Sequence, residues 1–404
     1  VALFNSGNIL SHPNSMTATE RRATIGLAAV YGTRMAGFFL MLPVFALFAE
    51  GMPGSTPALA GLAVGIYGLM QALGQIPLGL WSDHIGRKPV IIGGLALFAL
   101  GSMIAAVADH IVWVIIGRAI QGSGAVAAAI LALAADLTRP EQRTKAMAGI
   151  GMTIGAAFIL SLVTAPVLHP VLGHTGIFWL CAGLAVVAAG IVLHVVPDPP
   201  AIRQQSDVVP VPHMIKSVLC QRALLQLDIG IFALHLILTA TFLALPIVLQ
   251  NAGLPLTEHA WVYLPVLLFS LLGMAPFIWL SSRQGWAIPF LSGAVLILLF
   301  ARRGLWQSHG SLTGILVGLS LFFLVFNLLE AKLPALISKS APPEAKGTAM
   351  GVFTTAQFFG AFSGGLLGGW VHAWFDLATV FLCSAMIAAG WCGMLIHRQA
   401  MRCQ

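Results

Sequence analysis

Twelve long apolar segments run through this chain, and they limit its fold more than any other feature. Each has 16 to 27 residues with few charges, close to the length that an α-helix needs to cross a bilayer. In hydrocarbon every backbone N–H and C=O must be satisfied within the protein, and a helix achieves this within a single segment. The sequence therefore predicts an all-α membrane protein with twelve transmembrane helices. The segments are 23–49, 58–80, 89–107, 111–136, 144–168, 175–196, 223–249, 260–281, 286–301, 311–337, 347–371 and 376–397.

Composition supports this class and excludes others. Hydrophobic residues make up 58% of the 404 residues and charged residues only 8%, too few charges to cover a soluble surface. The net charge of +7 would suggest nucleic-acid binding in a soluble domain. Here most basic residues fall in loops between apolar segments, so we expect no nucleic-acid partner. Five scattered cysteines predict neither a disulfide framework nor a metal site, no enzyme motif is present, and we expect no cofactor.

The segments fall into two sets of six, separated by a proline-rich polar stretch. A repeat supports duplication, because Pro77 to Gly86 recurs as Pro276 to Gly285, although Ser282 and Trp286 stand where the first loop has Asp83 and Arg87. We predict five parts: a disordered leader or expression remnant at 1–15, an N-terminal half at 16–196, a central cytoplasmic linker at 197–222, a C-terminal half at 223–397 and a short tail at 398–404.

Lysine and arginine are distributed unequally between the two ends of the predicted helices. If the N-terminus is cytoplasmic, fifteen of them fall on the cytoplasmic side and only Arg302 and Arg303 fall outside. Basic residues accumulate in cytoplasmic loops, so this count predicts that both termini are cytoplasmic. The expected location is a bacterial-type inner membrane, with the lipid bilayer as the protein's surroundings.

A short link rich in glycine and charge joins the second and third segments. Its residues resemble the loop motif of the major facilitator superfamily, written roughly G-x-L-x-D-R-x-G-R-K. His84 stands where the family has Arg, so the resemblance does not decide whether this position carries a positive charge at neutral pH. The positions that match the motif are Gly79, Asp83, Gly86, Arg87 and Lys88.

The fourth segment carries a second resemblance, to the family motif R-x-x-Q-G-x-G, which begins at Arg118 and includes Gln121. In the family this arginine faces the interior and is linked with proton coupling. Asp136, at the end of the same segment, matches the acid that pairs with the loop arginine, here Arg87. The resemblance therefore implies a bridge from Arg87 to both Asp83 and Asp136.

Across residues 19–398 the chain looks most like the YajR-like branch of the twelve-helix drug:proton antiporters. The runs Phe326 to Glu330 and Lys346 to Gly351 carry this closer resemblance. It implies the major facilitator fold, with two pseudo-symmetric six-helix halves and a substrate cavity between them near the midplane. Members of the branch can carry a soluble C-terminal domain, and we expect none here. In the family, helices two and eleven, both glycine-rich in this sequence, cross between the halves.

Ionisable residues inside apolar segments each cost roughly 2.5–3.5 kcal/mol at a helix centre, so they mark functional positions. Glu330 is the first predicted proton carrier, and His235 and Arg34 complete a proton-and-substrate constellation with it. Arg34 is expected to lie close enough to Glu330 to influence its charge. Arg118 joins this set by the family resemblance.

Asp228 and Lys332 are harder to assign, because both lie near cytoplasmic ends of their helices. The simpler interpretation is a lysine that extends toward water beside a neighbouring acid. The alternative is that Asp228 also takes part in proton coupling. Residues predicted to line the substrate cavity are Arg34, Asn327, Phe326, Gln357, Phe358 and Gln121.

These features favour a proton-coupled efflux antiporter, acting as a monomer, that exports small amphipathic or hydrophobic compounds. The antiporter motif of the fifth helix expects Gly-Pro, and Ala165 precedes Pro166 here. This difference leaves open a carrier of another solute, such as an importer or a lipid-like metabolite transporter. A non-transporting membrane sensor is the third hypothesis, and an acid in the cavity argues against it.

Overall fold

The computed structural model describes residues 15–199, 212–281 and 287–402, and these residues contain helices and no β-strand. Residues 1–14 of the predicted leader, residues 200–211 of the predicted linker and the end of the repeated loop (282–286) lie outside the described residues. Seven helices come before the linker: α1 (Ala18–Phe39), α2 (Phe45–Glu50), α3 (Pro57–Ile85), α4 (Arg87–Ala106), α5 (Ile111–Ser123), α6 (Ala127–Asp136) and α7 (Pro140–His194).

Seven further helices follow the linker, with short 3-10 turns before α10 and α13. The turns are Leu256–Glu258 and Pro343–Ala345. The helices are α8 (Pro212–Cys220), α9 (Arg222–Asn251), α10 (His259–Ser281), α11 (Ala287–Ser308), α12 (Leu312–Ser340), α13 (Lys346–Trp374) and α14 (Thr379–Arg402).

Each of the twelve predicted spans corresponds to helix. Nine helical segments of the described chain are long and apolar enough to cross a membrane, and α7, with 55 residues, has the length of two crossings. The predicted division between the fifth and sixth spans is present as a kink at Gly173 (φ 63°, ψ −178°), where two helices meet within α7 and no separate loop fills 169–174. Glycine adopts this left-handed φ without strain, so the chain turns back without a separate loop.

Two predicted spans are interrupted. The first breaks at 40–44, between α1 and α2, where Pro43 has no N–H to donate. The fourth breaks at 124–126, between α5 and α6, after Gly124 leaves helical geometry (φ −73°, ψ 53°). Backbone carbonyls freed at this second break are used by side chains of the site described below.

Arg302 is a correction to the charge count. It does not lie outside the membrane-spanning helices but inside α11, which extends seven residues beyond the predicted end of the span, and its side chain is fully buried. Its guanidinium lies 5.1 Å from the ring centre of Phe322 and 4.8 Å from that of Phe381. Aromatic faces attract a desolvated cation, which lets this arginine remain within the bundle.

The end of the bundle that holds residues 79–88 is called the loop end below, and the opposite end is called the far end. At the loop end, Arg139 donates hydrogen bonds to Glu20 from its side-chain Nε at 2.9 Å and Nη2 at 3.0 Å, and from its backbone N at 2.9 Å. The side-chain bonds are the main reason that the pKa of Glu20 is lowered to about 2. Nearby, Lys88 Nζ donates to Val196 O and Asp198 Oδ1, both at 2.7 Å. These contacts join α1, α4 and the two ends of α7.

The backbones of α3 and α13 touch in the part of the bundle toward the far end. A Cβ added to Gly61 would lie 2.3 Å from Gly365 O, and one added to Gly65 would lie 2.7 Å from Phe362 O. No side chain fits at such distances, so the crossing requires glycine on both helices. The predicted contact between the second and eleventh spans is therefore present, at backbone-to-backbone distance.

Gly365→Ala should destabilise the protein, because the new Cβ would lie 2.5 Å from Gly61 O and 2.8 Å from Gly65 N. Overpacking of this kind costs about 1–3 kcal/mol. The matched control is Gly390→Ala in α14, where an added Cβ meets no atom within 4 Å. Thermal unfolding of the purified protein should show a lower midpoint for Gly365→Ala alone. Equal midpoints for the two variants would show that the close contact does not limit stability.

Candidate transport site

Three polar side chains from three helices of the second set meet near mid-depth. They are His235 on α9, Glu330 on α12 and Gln357 on α13, and we call them the central network. Gln357 Nε2 lies 2.9 Å from His235 Nε2 and donates to Glu330 Oε1 at 3.0 Å. Glu330 Oε2 and His235 Nε2 are 3.8 Å apart. The Gln357 amide therefore bridges the acid and the imidazole, which contact each other less closely.

The hydrogen-bond partners indicate one assignment of protons in the central network. His235 Nδ1 lies 3.3 Å from Ile231 O, a carbonyl that can only accept, so Nδ1 carries the proton. His235 Nε2 is then the acceptor for one N–H of Gln357, and Glu330 accepts the other. This arrangement fits a neutral imidazole and an ionised carboxylate.

Exposure differs within the central network. The Glu330 side chain is 37% exposed and the His235 side chain only 13%. Glu330 Oε2 itself is buried and has no hydrogen-bond partner among the described residues. Water can thus reach part of Glu330, while one carboxylate oxygen is left without a donor.

The neighbouring predicted cavity residues surround this network. Asn327, one helical turn before Glu330 on α12, donates to Ser270 Oγ on α10 at 2.8 Å. The Phe326 ring lies 5.8 Å from the imidazole of His235. Phe358 is buried, and its backbone carbonyl faces α3 at Gly68, where an added Cβ would lie 2.7 Å away. The residue after Gln357 therefore belongs to the contact between α3 and α13.

Arg34 occupies a separate polar site in the first set of helices. Its Nη2 donates to Tyr67 Oη at 3.2 Å and to Gly124 O at 3.3 Å, while its Nε has no partner among the described residues. The Gly124 carbonyl lies where helix geometry ends, and besides Arg34 it accepts a hydrogen bond from Val126 N at 3.0 Å. In the same way Gln71 donates to Gly122 O at 2.8 Å. The glycine motif of the fourth span thus supplies acceptors for buried donors.

Arg118 contacts the same tyrosine from another side. Its guanidinium lies 4.9 Å from the ring centre of Tyr67 and 5.7 Å from that of Phe38, and its Nη1 donates to Gln121 Oε1 at 2.6 Å. Gln121 in turn donates to Ser102 Oγ at 2.8 Å. Arg34 and Arg118 are both almost fully buried, and their hydrogen bonds to described residues stay within the first set of helices.

The expected proximity of Arg34 to Glu330 is therefore wrong as a direct contact. Arg34 directs its donors to Tyr67 and Gly124, and no ion pair joins it to a carboxylate in the described chain. The break in the fourth span provides a carbonyl closer to Arg34 than any acid. Sequence reasoning did not identify Tyr67 or Gln71, since neither has an ionisable group that marks it at neutral pH.

Aromatic rings fill the space from the central network toward the far end. Phe158 on α7 contacts Phe39 edge-on at 5.0 Å, and it lies 6.2–6.4 Å from Phe242, Phe323 and Phe326 on the second set of helices. We call these five residues the aromatic cluster. Phe158 was missed in the sequence because a phenylalanine within an apolar span has no distinguishing pattern. The cluster brings both sets of helices together beside the predicted cavity.

The loop motif forms one cluster around Arg87. Its Nη1 donates to Ser82 Oγ at 2.7 Å, its Nε lies 3.2 Å from Asp136 Oδ2, and it pairs with Asp83. Gly86, with φ at 107°, joins α3 directly to α4, a conformation that side chains rarely allow. The bridge from Arg87 to both acids is present as the resemblance implied. The Ser82 contact was not predicted.

Asp228 does not pair with Lys332. Its side chain is only 4% exposed, and neither carboxylate oxygen has a hydrogen-bond partner among the described residues. The interpretation of a lysine beside a neighbouring acid is therefore wrong for this pair. Lys332 is partly buried and takes part in another interaction.

A cavity of about 400 Å³ opens at the far end, away from the central network. Asp109, His169 and His174 line it together with apolar residues, and the His174 ring stacks on Phe48 at 4.0 Å. The described residues contain no group of three His, Cys, Asp or Glu side chains that could hold a metal ion. The central network is the candidate transport site, because one amide joins an acid and an imidazole there, and α13, which carries that amide, packs against α3 of the first set.

A profile of the Major Facilitator Superfamily matches residues 27–365 of the chain. The chain belongs to this superfamily. It is 46% identical over 376 residues to the inner membrane transport protein YajR of Escherichia coli K12, covering 93% of this chain and 83% of YajR. The major facilitator fold and the YajR-like resemblance are thereby confirmed. The protein is a multi-pass inner-membrane transporter and not an enzyme.

Two further similarities agree with this assignment. The multidrug resistance protein MdtH of Proteus mirabilis is 26% identical over 339 residues, 83% of each chain. Among solved structures, a bacterial homologue of the human lysosomal transporter Spinster superimposes with a TM-score of 0.76 at 13% identity, over 95% of this chain and 98% of the other. At that identity the structural likeness reports the fold alone.

The loop cluster leads to a prediction about conformation. We expect Asp83 to meet the N-terminal end of α13 and to stabilise the state with a closed loop end by roughly 0.3–2 kcal/mol, since a carboxylate is favoured at the positive end of a helix dipole. Asp83→Asn should then speed the reaction of a cysteine at Thr354→Cys with an impermeant maleimide added from the loop end. Asp109→Asn, an exposed acid at the far end, is the control. Unchanged labelling and unchanged transport for Asp83→Asn would exclude this role.

Proposed function

We propose that this transporter is a proton-coupled antiporter that exports small amphipathic or hydrophobic compounds by alternating access. The observation that carries the proposal is the central network, in which one amide joins a partly exposed carboxylate to a nearly buried imidazole. Ionisable groups at this depth are costly and are kept for substrate or proton binding. The similarity to a protein named for multidrug resistance supports amphipathic compounds as cargo.

Proton binding changes what the Gln357 amide can do. In the deprotonated network its two N–H groups serve His235 Nε2 and Glu330 Oε1. If both His235 and Glu330 bind protons, each becomes a donor toward Gln357, and the amide must present its oxygen instead. A single proton favours direct pairing of His235 with Glu330, now 3.8 Å apart. Each protonation state therefore requires a different position of Gln357.

Gln357 connects these proton states to the shape of the transporter. It lies on α13, one residue before Phe358, whose carbonyl packs against Gly68 of α3. Because the backbones touch there, α13 cannot rotate without changing its contact with α3. Protonation of the network thus acts on α13, the helix that closes the bundle toward the far end. Coupling requires an element with two positions, one for each protonation state, and α13 is that element in this proposal.

The remaining groups have supporting roles in this proposal. Phe326 and Phe358 offer apolar surface and Asn327 a polar contact for the substrate, while Arg34, Arg118 and Gln121 hold the first set of helices rigid around Tyr67. The loop cluster controls opening at the loop end. We further propose that both termini are cytoplasmic, as the basic residues indicate, and that the transporter works as a monomer.

An import function is the second candidate. Ala165 replaces the glycine of the antiporter motif in the fifth span, and both Ala165 and Pro166 are buried in α7. If this motif limits leakage of the substrate-free form, its loss favours a carrier that moves proton and solute in the same direction. The direction of proton movement during transport distinguishes the two candidates.

The test uses Glu330→Gln in proteoliposomes with an imposed pH gradient. Removing the titratable carboxylate should reduce pH-driven transport of an amphipathic fluorescent dye at least tenfold, while dye binding to the purified protein remains. Glu330→Asp should retain part of the transport. The control is Glu258→Gln, an exposed acid in the turn before α10.

Two outcomes would contradict the proposal. If Glu330→Gln transports normally along a pH gradient, Glu330 is not the proton carrier. If the wild-type protein moves no protons when it moves dye, it is not proton-coupled. Proton uptake in the same direction as the solute would favour the importer.

A further inference from the structure

Asp228 is a buried acid that the mechanism above does not use. It is the seventh residue of α9, about 9 Å along the helix from the loop end. Its side chain is 4% exposed, and both carboxylate oxygens lack hydrogen-bond partners in the described chain. A carboxylate at such a position usually accepts several hydrogen bonds or pairs with a cation.

The charged groups on neighbouring helices do not compensate Asp228. The charged or titratable side chains toward the loop end, on α9 and on the helices that pack against it, are Lys216 on α8, Arg222 on α9, Lys332 and Lys339 on α12, Lys346 on α13, His397 on α14, and Asp83 and His84 on α3. None of them forms an ion pair or hydrogen bond with Asp228 among the described residues. An ionised carboxylate in this position would carry an uncompensated charge within the bundle. The protonated form is therefore the one this structure accommodates.

The position of Asp228 on α9 relates it to the central network. It precedes His235 by seven residues, two turns, so both side chains lie on the same face of the helix. Between them on this face is Ile231, whose carbonyl accepts the His235 Nδ1 proton. One imidazole nitrogen thus faces the network, and the other faces the Ile231 carbonyl, which lies between His235 and Asp228 along the helix.

We propose that Asp228 is the exit group for the transported proton, between the central network and water at the loop end; this inference rests on the proposed proton coupling. The Glu330 O–H bond breaks as a bond from the proton to His235 Nε2 forms. His235 then loses its Nδ1 proton, which passes through water to a carboxylate oxygen of Asp228. The ring of His235 then turns over and returns to its first tautomer, with the proton on Nδ1, and Asp228 finally releases its own proton to water at the loop end.

The structure corresponds to one step of this sequence. The central network is arranged for a neutral imidazole and an ionised Glu330, while Asp228 is arranged for a bound proton. The proton has therefore left the network and has not yet reached water. A single conformation accounts for both the bridging position of Gln357 and the unpartnered oxygens of Asp228.

Infrared spectroscopy of the purified protein tests the proton on Asp228 directly. At neutral pH the wild type should show the carbonyl band of a protonated carboxyl. This band should be missing in Asp228→Asn, displaced in Asp228→Glu and retained in Glu330→Gln. If Asp228→Asn removes no protonated-carboxyl band, Asp228 is ionised and the inference is wrong.

Transport in proteoliposomes tests the exit role. Asp228→Asn should slow pH-driven transport at least tenfold while dye exchange without a gradient continues, and Asp228→Glu should restore part of the loss. The control is Asp376→Asn, an exposed acid that caps α14 at the far end. If Glu330→Gln abolishes pH-driven transport and Asp228→Asn does not, the exit role fails and the proposed function stands. If the wild type shows no coupling at all, both fail.

Discussion

The direct contact between the backbones of α3 and α13 is the constraint on which the rest of the structure depends. Glycines on both helices allow it, because a Cβ at Gly61 or Gly365 would overlap a carbonyl of the other helix. The contact holds the two sets of helices together toward the far end. The aromatic cluster adds further contacts between the two sets. Since α13 also carries Gln357, the helix that closes the transporter is the helix that contacts the acid and the imidazole.

Burial of charge in hydrocarbon explains much of the remaining side-chain arrangement. Arg118 and Arg302 are compensated by aromatic faces, and Arg34 uses a carbonyl that a helix break makes available. These cations are fixed in place by partners within their own half. Glu330 and Asp228 lack such compensation for at least one oxygen. Arg302 also lacks a hydrogen-bond partner for all three guanidinium nitrogens among the described residues, so the difference between the two kinds of group is that the acids can change their protonation and the arginines do not.

Some of this could be predicted from the sequence. Apolar length predicted a helix at each of the twelve spans, because it depends on local sequence. The partners of Arg87 were predicted from the resemblance to the superfamily, since Asp136 lies 49 residues away in the chain. His235, Glu330 and Gln357 were identified as site residues because polar side chains are conspicuous in apolar spans. Their direct meeting was not predicted, since it depends on how three helices rotate about their axes.

Other features depend on tertiary structure that the sequence does not express locally. Phe158 resembles any lipid-facing phenylalanine until its contacts are known. Arg302 lies just beyond its predicted span, so the sequence suggests an arginine in a loop. Its burial depends on the rings of Phe322 and Phe381, which come from other helices. The continuation of α7 through the predicted loop depends on one glycine at positive φ.

The most direct measurement is the distance between spin labels at the far end as pH is changed. Labels at Glu50→Cys and Gln250→Cys, with the native cysteines replaced, would report on the exposed far ends of α2 and α9. If protonation of the central network moves α13 against α3, the wild-type distance distribution should shift between closed and open populations with pH, and Glu330→Gln should remove the shift. A distribution that does not respond to pH, or responds equally in Glu330→Gln, would contradict this account.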